Sequence, residues 1–260
     1  GIWPGVSALM AAEAVSRLEH PTSLDFSFFT AGTGNAGPTI VSATFLLLCQ
    51  EALTYKGGVE TPQEPWTSPR VVDFGPTAGE RTVRLLDNPD VPTCAHALGV
   101  PSISSRFATA PGTWNLLFGA MKSLPRALLA DEDKMMKLAL FSEPIIRLVD
   151  RLVGATNAMR VDATGSDGQT VTLRVVHPDL EACVGLATAA FALEAMRGTI
   201  PGGVHYPAEL PSQARASILE AVREGAVVWE LGPSSSSSVQ PRVTLFIWRT
   251  RGHKSRRSRG

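Results

Sequence analysis

At 260 residues the chain can form one large domain or two small ones, and its 44% hydrophobic against 18% charged residues supply a sizeable core and exclude global disorder. No apolar run reaches the ~18–20 residues of a membrane span, and the richest stretches, 40–48 and 183–193, fit buried helices. The formal net charge of zero hides an asymmetry: all 24 acidic residues precede position 232, with only seventeen of the 24 basic ones, so the body carries −7 and lacks the clustered positive charge that nucleic-acid binding needs.

Pro4-Gly5 leads into an alanine-rich segment, 6–19, with apolar residues at helical spacing. A strand follows over 24–30, then a glycine loop, then a helix over 38–53 whose proline suits a first turn. Residues 56–69 hold Gly57-Gly58 and three prolines and read as an irregular connection with one short strand. Strands are predicted over 70–74, 81–86 and 101–110, a helix over 111–122, and a longer one over 134–152 that Pro144 kinks or breaks. Residues 159–163 and 171–175 alternate apolar and polar around Gly165-Ser166-Asp167-Gly168, the best hairpin signal in the chain. Asp179 is placed to cap an apolar helix running to 197. An amphipathic helix over 212–224 and a short strand over 226–231 complete the body. Hairpin-like strand pairs favour an α+β fold with a mixed, largely antiparallel sheet and helices packed on it.

Gly32-Thr33-Gly34-Asn35-Ala36-Gly37 satisfies G-x-G-x-x-G, the glycine pattern of dinucleotide sites. Three features speak against that use. Pro38 removes a backbone N–H where the fingerprint needs helix donors. Glu51 has the spacing of the ribose-binding acid but sits in a helical run, not at a strand end. A helix precedes the strand, so the loop does not open a βαβ unit. A second-domain turn is the expectation, and a self-contained nucleotide site the alternative.

Cys49, Cys94 and Cys183 are widely spaced, without CxxC or Cys/His spacing, so no metal site is expected and a reducing intracellular compartment, cytosol or plastid, fits free thiols. The serine run 234–238 opens a basic segment with no foldable pattern, and 233–260 is expected to be a disordered tail. The chain opens on Gly1 directly in a motif, which reads as a start within a longer protein.

That motif, Gly1-Ile2-Trp3-Pro4-Gly5-Val6-Ser7 with Leu9-Met10-Ala11-Ala12-Glu13, resembles the junction of the saccharopine dehydrogenase-like oxidoreductases, especially their plant and algal branch. Further matching stretches follow in order. They are Thr30-Ala31-Gly32-Thr33-Gly34 with Ala36-Gly37-Pro38-Thr39, then Ser105-Arg106-Phe107 with Thr109-Ala110-Pro111 and Trp114-Asn115. Met159-Arg160-Val161-Asp162, Ala187-Thr188-Ala189-Ala190-Phe191 and Pro201-Gly202-Gly203-Val204 with Tyr206-Pro207 complete the set. The likeness spans about residues 1–231.

The resemblance implies a fold like the C-terminal domain of glyceraldehyde-3-phosphate dehydrogenase, with 1–232 as a substrate and dimerisation domain. It implies an NAD(P)-dependent oxidoreductase whose cofactor is held mainly by a nucleotide-binding domain upstream of Gly1. The expected partners are that domain, a second copy in a homodimer and a small-molecule substrate. Hydride transfer would cross the interdomain cleft, with Gly1, Trp3, Pro4 and Gly5 at the nicotinamide end. In the true saccharopine reductases the position before the proline is commonly acidic; Trp3 here departs from that and puts saccharopine itself in question as substrate.

Four side chains are candidates. Trp3 lines a substrate pocket or packs between domains. Arg106 binds a substrate carboxylate bidentately or forms an ordinary ion pair. Trp114 contacts substrate or belongs to the core. His177, before Pro178 at a strand end, acts as a catalytic acid/base or caps an element. Because no paired acid and base stands out, a second reading stays open: a non-catalytic scaffold associated with membranes or lipid bodies.

Overall fold

The computed structural model describes residues 1–31 and 38–231. In chain order the elements are α1 (Val6–Val15), β1 (Pro21–Ala31), α2 (Pro38–Leu47), β2 (Tyr55–Lys56), β3 (Val59–Glu60), β4 (Arg70–Asp73), β5 (Glu80–Leu85) and α3 (Asp90–Leu98). Then come β6 (Ser102–Ala110), α4 (Gly112–Met121), α5 (Arg126–Leu129), α6 (Glu132–Val153), β7 (Thr156–Gly165) and β8 (Thr170–His177). Helix α7 (Leu180–Met196), a 3-10 turn (Pro207–Glu209), α8 (Ser212–Val222) and β9 (Val228–Glu230) complete it. The loop at 32–37 and the segment from 232 onward lie outside the described residues, so the expectations for the glycine pattern and the tail fall there too.

Strand β1 anchors the sheet because its apolar residues serve both faces. Leu24, Phe26 and Phe28 point to one side and Phe29 and Ala31 to the other. All three phenylalanines are fully or almost fully buried, each worth about 2–3 kcal/mol relative to exposure. The strand order is β3-β2-β6-β1-β7-β8-β9, with β4 and β5 joined through β6. Strands β1 and β6 run parallel, and every other described pair is antiparallel. The mixed, largely antiparallel sheet with helices on it matches the α+β expectation.

On the Phe26 face lie α1, α3, α7 and α8. Helix α1 is apolar all round and is buried accordingly, from Val6 through Ala12. On the Phe29 face the β4–β5 hairpin folds over, packing Val72, Phe74 and Val83 against Phe29 and Val176. Beyond the β1 and β6 strand ends, α2, α4, α5 and α6 build a third cluster around Phe45, Trp66 and Phe118.

Three local readings change. Residues 55–60 form a two-strand hairpin, with Gly57 and Gly58 at φ 59° and 82°, the positive angles a primed two-residue turn requires. The helix over 90–98 has no counterpart in the periodicity reading. Helix α6 runs unbroken through Pro144. The predicted hairpin forms as β7–β8, and Asp179 caps α7 by accepting from the Ala182 N–H at 2.9 Å.

Candidate functional site

The β1 and β6 strand ends, the Gly1–Pro4 entry and four helices enclose a cavity of about 1010 Å³. Thr30 of β1 and Phe107 and Thr109 of β6 form its floor. Trp3 and Pro4 enter from the chain start, with Trp3 edge-on to Phe28 at 4.9 Å between ring centroids. The walls come from α2 (Ile40, Val41, Phe45), α4 (Trp114, Leu117, Phe118), α6 (Leu138, Ile146) and α7 (Leu180, Val184).

Asn115 explains why Trp114 sits at this wall. Its amide donates to Thr109 O at 2.7 Å and accepts from Thr109 N at 3.1 Å, which locks the start of α4 onto the end of β6. The Trp66 indole donates to Asn115 O at 2.9 Å and stacks edge-on against Phe118 at 5.1 Å, so the wall is braced from behind.

The entry turn is equally constrained. Gly5 has φ 137°, and an added Cβ would lie 2.0 Å from Gly1 O. The N–H groups of Val6 and Ser7 donate to Gly1 O and Ile2 O, closing the turn onto α1. Ser7 Oγ in turn donates to Asp90 Oδ2 at 2.6 Å, a buried contact across to α3. Burial pushes the Asp90 carboxyl up to about 7, with the Ser7 hydrogen bond opposing. Sequence reading missed Asp90 because it missed the helix that carries it.

Of the site residues predicted from sequence, Gly1, Trp3, Pro4 and Trp114 meet at the cavity. Gly5 does not line it but shapes the turn that does. Arg106 is elsewhere. Its neighbours Phe107 and Thr109 face the cavity, and strand alternation turns Arg106 to the opposite face. There it lines a separate cleft of about 200 Å³ and pairs with Asp25 at 3.1 Å and Ser104 at 2.5 Å. Arg70 holds the other Asp25 oxygen at 2.9 Å. Burial favours the protonated Asp25 carboxyl, but the Ser104 and Arg70 hydrogen bonds and the two guanidinium charges outweigh it and hold the pKa below the usual carboxylate value. The ion-pair reading of Arg106 is therefore the one the geometry offers. Arg106→Leu is expected to destabilise the chain by about 2 kcal/mol in urea denaturation, because it strips a half-shielded carboxylate of one partner.

His177 also lies away from the cavity lining. It is buried; Nδ1 accepts from Asp179 N at 3.1 Å, which leaves Nε2 to donate to Glu224 O at 3.1 Å. Both ring nitrogens are thus committed to joining the end of β8 to α7 and the turn after α8. Asn157 is a residue that sequence reading passed over. It stands between Thr30 and His177 in the sheet register, buried, with no partner for either amide atom among the described residues. Only strand pairing across 127 residues sets it beside Thr30, and no local pattern marks it.

Cys94 and Cys183 are buried and unpaired, and burial pushes the Cys183 thiol up to about 11, which fits core packing rather than reactivity. Among the described residues no group of three His, Cys, Asp or Glu side chains could hold a metal. No helix in that set is long and apolar enough to cross a membrane.

The described residues do not supply a pyrophosphate cradle. Among the described residues no basic side chain lines the cavity, and the start of α7 that borders it already carries the Asp179 carboxylate. No step of hydride transfer is therefore assigned to these side chains.

No protein-family model matches the chain, and no curated protein matches it. Solved structures do match. One is the apo histidine-tagged saccharopine dehydrogenase (L-Glu forming) from Saccharomyces cerevisiae, with a TM-score of 0.50 and 11% identity, covering 85% of this chain and 69% of that one. The chain shares that protein's fold. At 11% identity the likeness is one of architecture, and the cavity chemistry has to be argued from this chain's own residues.

Proposed function

We propose that residues 1–232 are the substrate and dimerisation half of an NAD(P)-dependent oxidoreductase of the saccharopine dehydrogenase-like type. The observation that carries this is the convergence of the Gly1–Pro4 entry and Trp114 on one large cavity at the sheet end, in a fold shared with a saccharopine dehydrogenase. In this reading the nucleotide sits in an upstream domain, which supplies the hydride chemistry. The chain itself shapes and dries the substrate pocket. The plant and algal branch is the member group that the ordered motifs favour.

Titration of the 260-residue chain with NADH and NADPH, followed by cofactor fluorescence, tests the division. The expected result is no saturable binding at micromolar cofactor. Saturable micromolar binding by this chain alone would overturn the split and return the nucleotide site to the glycine loop at 32–37.

A second reading has its own observation. On α6, Phe141, Ile145, Leu148 and Leu152 are 55–80% exposed and spaced as one helical stripe. This favours a non-catalytic protein that lies on a lipid surface. Turnover of the full-length protein on amino-acid and imine substrates separates the two.

A further inference from the structure

The cavity is unusual in where its polar atoms are spent. Among the described residues four hydroxyls line it: Thr30, Thr44, Thr109 and Ser142. Thr44 Oγ1 donates to Ile40 O at 2.9 Å and Ser142 Oγ to Leu138 O at 2.8 Å, so both turn back into their own helices. Thr30 Oγ1 donates to Thr109 Oγ1 at 3.5 Å. Among the described residues Glu181 is the one charged side chain in the lining, and no Lys, Arg or His joins it. The bordering helix start of α7 is closed by Asp179 and followed by Glu181, so its field is already neutralised.

Among the described residues no side-chain cation stands ready to receive a carboxylate placed in this space, which would be desolvated with Glu181 repelling it. The rest of the wall is Ile, Leu, Val, Phe, Met and Trp with a few Gly, Ala and Pro, and the cavity volume lies at the upper end of what drug-sized ligands fill.

We infer that the cavity takes a neutral, largely apolar ligand of lipid-like character rather than an amino-acid carboxylate. This rests on the reading of the cavity as the substrate pocket, and it names the substrate class for that pocket. Complementarity decides it: a wall mostly of apolar side chains, with the Thr44 and Ser142 hydroxyls bonded back into their own helices, rewards apolar area and penalises ions.

The test is Nile red fluorescence with the 260-residue chain. The dye is expected to bind saturably, to be displaced by 1-dodecanol, and to be unaffected by millimolar L-glutamate. Val184→Arg puts a cation on the α7 wall at a site 36% exposed, where the helix tolerates it, and is expected to weaken dye binding by about tenfold or more. Leu117→Arg on the facing α4 wall carries the same expectation, should Val184→Arg fail to fold by circular dichroism. Met196→Arg, on α7 but outside the cavity, leaves binding unchanged.

Displacement by L-glutamate overturns the inference. So does dye binding that survives Val184→Arg and Leu117→Arg in folded protein, or that is lost instead with Phe141→Arg on the α6 stripe. No nucleotide enters the assay, so its failure leaves the oxidoreductase reading to the cofactor titration, and failure of that titration leaves a positive dye result standing.

Discussion

Replacing Gly5 by alanine is expected to cost the fold about 3 kcal/mol, seen as a lower urea midpoint at unchanged slope. Two penalties act together. A φ of 137° with ψ −90° is backbone that L side chains rarely adopt. The new Cβ would also sit 2.0 Å from Gly1 O and 2.8 Å from Gly1 C, both backbone atoms, so no rotamer change relieves it. Opening the turn breaks the hydrogen bond from Val6 N to Gly1 O and shifts Trp3 and Pro4 at the cavity mouth. Gly185→Ala is the matched control. It lies inside α7, also lines the cavity, and nothing stands within 4 Å of its added Cβ. There the helix gains about 1 kcal/mol instead. Equal stability of Gly5→Ala and wild type would show that the turn does not hold the first helix in place.

The contrast between these two glycines shows where the sequence was readable. Gly5 follows a proline before an alanine-rich helix, and that local pattern announced a tight entry. Local patterns also yielded the β7–β8 hairpin and the Asp179 cap, because alternation and capping chemistry act over a few residues. Helix α3 was within reach as well. Pro89 and Asp90 start it, and Gly99 ends it in the left-handed region at φ 63°. It escaped because nine residues containing Pro92 give too short a window for periodicity.

What lay beyond the sequence was pairing at long range. The parallel β1–β6 partnership joins Ser23 to Ser102 and Thr30 to Thr109, and no local signal specifies it. Yet that pairing makes the cavity floor, and its parity separates Arg106 from Phe107. Alternation turns the two to opposite faces; which of them faces the cavity depends on the helices α2, α4 and α6 gathering at one end of the strands. Trp3 and Trp114 likewise met only through tertiary folding, 111 positions apart.

Asp90 offers the second large effect, and its sign runs against the usual behaviour of a carboxylate. The side chain is fully buried, Ser7 donates to Oδ2, and Oδ1 has no partner among the described residues. Burial favours the protonated form, while the Ser7 hydrogen bond and the positive chain start oppose it, leaving a pKa raised from 3.8 to about 7. A raised folded pKa means the native state binds more protons than the unfolded chain between those values. Its contribution to stability is therefore complete below about pH 4 and is lost as pH rises toward 7. A shift of this size, at about 1.4 kcal/mol per unit, corresponds to roughly 4 kcal/mol. Asp90→Asn keeps the shape and an acceptor for Ser7 but cannot ionise. The expected result is that the stability of wild type relative to Asp90→Asn falls by several kcal/mol between pH 4 and 8, measured by urea denaturation at each pH. Asp25 and Glu194, whose pKa values are lowered, lose their contributions only toward acid pH and cancel in the difference. A pH-independent difference would place the charge of Asp90 in solvent contact and sever Ser7 and the entry turn from any proton-linked control.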